Sequence, residues 1–296
     1  MLNDKLQTNF EQLRSILEPI VFCDLFEYPL TAYEIWKYTK KQLALEAVFI
    51  LLQQLVVRGD IVSENNGFYF LKGREYILEM RQKRYNYSCA KLKIASRFSR
   101  LFALVPFVKT VAVANFIGDH NVREEGDIDL LIITASHRIW TSRLFCTGFA
   151  KILNRRPTSN RKKDRICLSF YISEDHLDVS DLANSQQIDY WYYYLRGLMP
   201  IYDKNNTFEK FLAANNIIHD NYEKHIIKSH PLLNWLELIA KKFQLKIMPP
   251  ALKNAINNSE GVRISDSVLK FHLNDKRRYF SEKFNYKLNE VISKIN

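Results

Sequence analysis

The sequence contains little cysteine, glycine or proline. Its 296 residues include four cysteines, eight glycines and eight prolines, while 47% of the residues are hydrophobic. The cysteines are far apart and form no CxxC pair, and the histidines show no metal-ligand spacing with them, so we expect reduced, buried thiols rather than disulfides. The scarcity of glycine and proline indicates a chain that is folded and globular throughout.

Long apolar runs are also missing. No window of 18 residues is apolar and free of charge, so we expect no membrane-spanning helix and no membrane partner. The first ten residues lack the basic-then-apolar pattern of a signal peptide. Together these absences predict a cytoplasmic protein.

The positive charge is concentrated in two parts of the chain. The net charge is +11, yet residues 1–80 carry −3, whereas residues 81–110 carry +8 and residues 241–296 carry +7. Basic segments attract polyanions such as nucleoside triphosphates or nucleic acid. Each stretch taken alone is more typical of a solvated helix face.

Residues 1–75 have the pattern of three helices followed by a β-hairpin, which is the layout of a winged helix. A T-x-x-E capping box at Thr31 and Glu34 opens the second helix, and Gly59 ends the third. An Asn-Gly pair at residues 66–67 predicts a tight hairpin. The third helix offers few groups that contact base edges, and the segment is acidic, so we expect it to pack or to dock a partner rather than to bind DNA.

A pair of aspartates opens an apolar strand in the middle of the chain. After an apolar run at residues 108–114, Asp127 and Asp129 begin a strand that extends to residue 134. Because successive strand residues point to opposite faces, the two carboxylates share one face. Adjacent buried carboxylates repel each other unless a cation lies between them. We therefore predict that they bind Mg²⁺ or Mn²⁺, with a solvated strand end as the alternative.

Residues 108–134 resemble the polymerase-beta-like nucleotidyltransferase superfamily. Its signature is a strand, a Gly-Ser pair that opens a short helix, a turn, and D-x-D on the next strand. Segments at residues 26–31, 67–75 and 211–215 are similar to a bacterial group of predicted nucleotidyltransferases with an N-terminal winged helix. The resemblance therefore covers roughly residues 10–220.

The resemblance and the helical pattern of the last third predict an α+β fold in three parts. These are a winged-helix-like domain at 1–75, a nucleotidyltransferase-like mixed β-sheet flanked by helices at 76–205, and a helical C-terminal region at 206–296. The resemblance implies a nucleoside triphosphate substrate, Mg²⁺ dependence, and Asp127 and Asp129 as catalytic metal ligands. It does not supply the acceptor.

Two departures from the family pattern affect the predicted nucleotide-binding residues. Ala114 and Asn115 occupy the Gly-Ser positions, which in the family contact the triphosphate. The later strand that usually supplies a third carboxylate, at residues 165–172, contains no acid, and Ser169 occupies its predicted inward position. The resemblance therefore implies that these three residues lie against the nucleotide. The acids at the ends of that strand are Asp164, Glu174 and Asp175.

Three functional hypotheses remain at this point. The chain is an active, metal-dependent nucleotidyltransferase that transfers a nucleoside monophosphate to an unknown acceptor. Alternatively, it is a degenerate member that binds nucleotide or a partner without turnover. The third hypothesis is a winged-helix regulator whose second domain senses a nucleotide.

Overall fold

The computed structural model describes residues 2–114, 120–158, 160–218, 231–256 and 259–295. Helices and strands both contribute, so the fold belongs to the mixed α and β class that the sequence predicts. Contacts divide the chain into two compact units, of which the first combines Met1–Tyr85 with Arg277–Asn296 and the second is Asn86–Lys276. None of the described helices is both long enough and apolar enough to cross a membrane.

The described residues form ten α-helices and nine β-strands. The helices are α1 (Leu2–Asp24), α2 (Ala32–Tyr38), α3 (Leu45–Arg58), α4 (Ile77–Phe102), α5 (Ile139–Ile152), α6 (Ile188–Arg196), α7 (Thr207–Ala214), α8 (Pro231–Lys246), α9 (Pro250–Ala255) and α10 (Arg277–Ser293). The strands are β1 (Leu30–Thr31), β2 (Val62–Asn65), β3 (Phe68–Leu71), β4 (Val108–Val113), β5 (Ile128–Thr134), β6 (Ile166–Ser173), β7 (Met199–Asp203), β8 (Val262–Ile264) and β9 (Val268–Phe271).

In the first unit, local sequence signals set the ends of the short elements. The Thr31 side chain accepts a hydrogen bond from the Glu34 amide, and the Glu34 carboxylate accepts one from the Thr31 amide at 2.7 Å, which confirms the predicted capping box of α2. Helix α3 ends at Gly59, whose φ of 74° suits glycine. The turn at residues 66–67 has φ values of 54° and 80°, which confirms the tight hairpin between β2 and β3.

Two features of the first unit were not predicted from the sequence. The two-residue strand β1 joins the hairpin to give an antiparallel sheet in the order β1-β3-β2. The C-terminal helix α10 also belongs to this unit. The buried carboxylate of Asp24 accepts hydrogen bonds from Arg74 at 2.7 Å and from Lys287 of α10. The Phe22 and Phe284 rings pack edge to face, 5.8 Å apart. The winged-helix assignment itself stays a prediction.

The second unit is built on a six-stranded mixed sheet in the order β7-β4-β5-β6-β9-β8. Strands β5 and β6 are parallel, and every other neighbouring pair is antiparallel. A parallel pair needs a crossover connection, and α5 provides it. The side chains of β5 alternate between two hydrophobic cores. Ile128 and Leu130 face the core beneath α4 and α5, which we call the α4–α5 core, whereas Leu131 and Ile133 face the α6–α7 core on the other side.

The prediction of a wholly helical region at 206–296 is wrong in part. Strands β8 and β9 form an antiparallel pair that joins β6 and extends the sheet. These strands are only three and four residues long, so their alternation is too short to identify from sequence. The region is also divided, because α10 lies in the first unit whereas the preceding elements lie in the second.

Glu34 forms a half-buried ion pair with Arg81 in the first unit. Both of its carboxylate oxygens accept hydrogen bonds from Arg81 at 2.9 Å, and Tyr28 and Thr31 donate to the same group. Burial acts to raise the pKa of Glu34, but the Arg81 guanidinium and these hydrogen bonds outweigh it and hold the pKa below its ordinary value.

We expect Glu34→Gln to lower the free energy of unfolding at pH 7 by about 1–3 kcal/mol, because it leaves Arg81 partly buried without a counter-charge. A carboxyl group whose pKa is lower in the folded protein than in the unfolded chain stabilises the fold at pH values above its pKa in the unfolded chain. This stabilisation is lost as the pH falls through its pKa in the folded protein. The difference between wild type and variant should therefore shrink below about pH 4. Urea unfolding at several pH values measures this difference. Glu79→Gln, at an exposed pair with Lys83, should have no measurable effect. An equal loss for the two variants would contradict the assignment.

Candidate metal centre

The predicted aspartate pair lies at the beginning of β5. Asp127 directly precedes the strand, and Asp129 is its second residue with 8% of its surface exposed. Alternation along the strand places Asp129 on the α6–α7 face, opposite to its neighbours Ile128 and Leu130. The expected strand and the expected burial of its apolar residues are both present.

A cysteine completes the group of potential ligands. One ligand atom each from Asp127, Asp129 and Cys167 lie within 4.8 Å of one another. Cys167 is in register with Asp129 across the parallel β5–β6 pair, so the backbone itself fixes this proximity. The sequence analysis did not identify Cys167, because pairing between distant strands leaves no local signal.

The electrostatics of this group favour a bound cation. Burial raises the pKa of Asp129 to about 7, and the charge of Asp127 adds to the increase. Burial and the two nearby carboxylates also raise the pKa of the Cys167 thiol. A divalent cation would remove the repulsion between the carboxylates, and the carboxylate oxygens are the donors that suit Mg²⁺ or Mn²⁺, whereas a thiol suits softer ions such as Zn²⁺.

Cys167, and not Ser169, is the residue of β6 that pairs with Asp129. Asp129 pairs with Cys167, but Leu131 pairs with Phe170, so one extra residue in β6 interrupts the register. Because side chains alternate along β6, Ser169 is on the predicted face of that strand. In the pairing of β5 with β6, however, Cys167 is the residue opposite Asp129.

The Ser169 hydroxyl lies one step farther along the sheet. Its Oγ is 3.4 Å from the Cys167 sulfur and 3.1 Å from Nε2 of His272, a residue that the sequence analysis did not identify. The hydroxyl therefore contacts the group of ligands through the thiol.

The acids at the ends of β6 do not join the group of ligands. Among the described residues, the atoms that converge on the aspartate pair come from no third acid. Asp164 instead accepts a hydrogen bond from Lys91 at 2.8 Å, and Glu174 accepts one from the Ser136 amide at 3.2 Å. The carboxylate pair is therefore supplemented by a thiol.

A buried lysine holds the turn before the site. The Lys91 side chain is 1% exposed, and its Nζ donates to the carbonyls of Glu124 at 3.0 Å and Gly126 at 2.6 Å, as well as to Asp164. Gly126 immediately precedes Asp127, so Lys91 positions the backbone from which the first carboxylate extends. All three hydrogens of the ammonium group have acceptors in these contacts.

The Gly-Ser positions of the family pattern are only partly described by the structure. Ala114 is buried, and its amide donates to the carbonyl of Asp129 at 2.9 Å, so sheet pairing uses this N–H. Asn115, the other residue assigned to nucleotide binding, lies outside the described residues.

Comparisons with known proteins return no relatives. No protein-family model matches the chain, and no curated protein or solved structure matches it. Functional inference therefore depends on the geometry of the site and on the sequence motif.

We expect Asp129→Asn to raise the melting temperature of the metal-free protein, because it removes a buried like-charge repulsion while preserving side-chain size. The same variant should lose the stabilisation that Mg²⁺ or Mn²⁺ gives the wild type, about 2.7 kcal/mol at a concentration 100 times the dissociation constant. Thermal unfolding with a chelator and with added cation measures both effects. Glu125→Gln, at an acid two residues before Asp127 with 79% of its side chain exposed, should behave like wild type. A full cation-induced shift in Asp129→Asn would exclude this site.

Proposed function

We propose that this chain is a metal-dependent nucleotidyltransferase, which transfers a nucleoside monophosphate from a nucleoside triphosphate to an acceptor. The observation that supports this proposal most strongly is the carboxylate pair at the beginning of β5, in which Asp129 is buried and Asp127 is half-buried. The D-x-D motif on this strand and the apolar strand before it are the features that resemble the nucleotidyltransferase superfamily.

The side chains of the site would divide the work as follows. Asp127 and Asp129 would hold Mg²⁺ or Mn²⁺ in contact with the triphosphate. A bound divalent ion supplies charge neutralisation on the phosphates and the leaving pyrophosphate. The pKa of Asp129, raised by burial and by Asp127, supports this role because a carboxylate pair of this kind is most stable with a cation between its members. Lys91 would keep the backbone before Asp127 in place.

Two observations favour a second candidate, a degenerate member that binds nucleotide without turnover. The third ligand position holds the Cys167 thiol, whose pKa is raised by burial and by the carboxylates, so it is a poor general base at neutral pH. Ala114 adds a methyl group at the position where the family has glycine, and its amide pairs with β5.

A label-transfer experiment distinguishes the two candidates. The full chain is incubated with Mg²⁺ or Mn²⁺ and each α-phosphate-labelled nucleoside triphosphate, alone and with cell extract. For a transferase we expect labelled product and released pyrophosphate with wild type and with Glu125→Gln, but not with Asp129→Asn. Nucleotide binding that depends on Asp129 without any transfer would support the degenerate candidate. If neither binding nor transfer occurs, both candidates are rejected.

Cys167→Asp should strengthen any transfer activity, because it restores a third carboxylate directly opposite Asp129. We expect transfer to increase at least about tenfold, within the range that a positioned general base contributes. Cation binding should tighten as well, while the metal-free protein becomes less stable because a third like charge is buried. Ser169→Asp should have a smaller effect, since its hydroxyl is one step removed from the aspartate pair. A larger gain with Ser169→Asp than with Cys167→Asp would contradict this geometry.

A further inference from the structure

Helix α8 of the second unit has its polar side chains directed inward. The Glu237 carboxylate accepts hydrogen bonds from the amides of Trp140 at 2.7 Å and Thr141 at 2.9 Å, in the first turn of α5. The Gln244 side chain donates to the Trp140 carbonyl at 2.7 Å and accepts from Arg143 at 2.6 Å. A helix on the surface of a globular protein normally does the opposite and buries its apolar side.

The outward side of α8 is mainly apolar, although Lys242 and Lys246 are also exposed there. Five large side chains of the helix, and Ile247 directly after it, expose between 42% and 62% of their surface. At about 100° per residue these positions fall within an arc of roughly 120°, centred opposite Lys241. We call this set the α8 stripe. Its members are Leu232, Trp235, Leu236, Ile239, Phe243 and Ile247.

The size of the α8 stripe matches one side of a protein–protein interface. With exposures of this order on six large apolar side chains, the stripe presents roughly 600–800 Å² of contiguous apolar surface. Monomeric proteins seldom expose a patch at the upper end of this range, and a stable dimer buries about 800 Å² per partner. The stripe alone therefore supplies most of the area that a dimer needs.

Four of the six members of the α8 stripe are spaced symmetrically about its middle, whereas Trp235 and Ile239 correspond to the buried Gln244 and Ala240. Reflection through the point between Ile239 and Ala240 exchanges Leu232 with Ile247 and Leu236 with Phe243. A two-fold interface needs a patch that is complementary to itself, with residue i against residue j and j against i. Antiparallel pairing of two α8 helices meets this condition, and it also opposes their helix dipoles.

A basic residue within the stripe is compatible with the same arrangement. Lys246 lies inside the arc of the stripe, about 20° from Trp235 around the helix. In an antiparallel pair, Lys246 of one copy is about 3 Å along the axis from the position opposite Trp235 of the other. An ammonium group at that place can lie over the indole ring.

We propose that the chain forms a homodimer in which two α8 helices pair in antiparallel orientation through the α8 stripe. The hydrogen bonds of Glu237 and Gln244 to α5 hold the helix with the α8 stripe outward. A second copy of the chain would then bury the apolar side chains that are exposed in the monomer. The partner is a second copy of this chain, and the contact lies outside the proposed metal centre.

The oligomeric state of the full chain in solution tests the proposal. Light scattering coupled to size-exclusion chromatography should give a dimer for wild type. Leu236→Glu places a charge in the centre of the interface and should raise the dimer dissociation constant at least about a hundredfold. Leu238→Glu is the matched control, because Leu238 is also exposed, at 47%, on the same helix but outside the stripe. A monomeric wild type, or equal dissociation by both variants, would overturn the proposal.

Cysteine cross-linking tests the orientation. Ile239→Cys lies next to the two-fold axis and should form an intermolecular disulfide on oxidation, above the background of the four native cysteines. Leu232→Cys should not, because antiparallel pairing separates the two copies of this residue by about 20 Å, far beyond disulfide reach. Cross-linking of both variants indicates parallel pairing and overturns the arrangement. Binding of a monomeric chain to anionic lipid vesicles, lost in Leu236→Glu, would assign the stripe to a membrane surface instead.

Discussion

The parallel pairing of β5 with β6 is the interaction on which the second unit depends. Parallel strands cannot be joined by a tight turn, so the chain must cross over the sheet, and α5 makes that crossing. Backbone amides in the first turn of α5 then donate hydrogen bonds to the Glu237 carboxylate of α8. The same pairing places Cys167 opposite Asp129. The arrangement of the candidate metal ligands and the orientation of α8 therefore both depend on one strand pair.

The nearby positive charge of Lys91 does not neutralise the aspartate pair. Lys91 contacts the turn before β5 in the folded chain. Its ammonium group donates hydrogen bonds to Asp164 and to two carbonyls, and not to the aspartate pair. Burial and the charge of Asp127 raise the pKa of Asp129 to about 7. Repulsion between these two carboxylates lowers the stability of the metal-free protein, and replacing one of them with an amide would remove this cost. A pair of this kind is therefore typical of a site that binds a cation.

Local features of the fold could be predicted from the sequence, since local patterns determine them. The capping box at Thr31 and Glu34, the end of α3 at Gly59 and the apolar strand behind Asp129 each depend on residues within a few positions of one another. The hairpin at residues 66–67 is of the same kind. In each case the hydrogen-bonding partner lies within the same short segment.

Features that depend on distant segments could not be predicted in this way. The alternation of side chains along β6 predicts the face on which Ser169 lies, but it does not predict which residue of β5 it pairs with. One extra residue in β6 interrupts the register, and Cys167 is the residue that pairs with Asp129. Lys91 entered the sequence analysis only as part of the basic segment 81–110, although it lies on the buried side of α4 with Ala95 and Phe98. A lysine at the spacing of a core position is a usable signal, because burial requires specific acceptors for its charge. The acceptors themselves come from the turn before β5 and from the loop before β6.

The discontinuous first unit has a consequence for the order in which the chain matures. Asp24 and Phe22 of α1 contact Lys287 and Phe284 of α10, which is synthesised after the whole of the second unit. The second unit, Asn86–Lys276, is complete before these contacts are available. Domains generally fold as units during synthesis. The first unit can therefore complete its core only after the inserted unit and α10 have been synthesised.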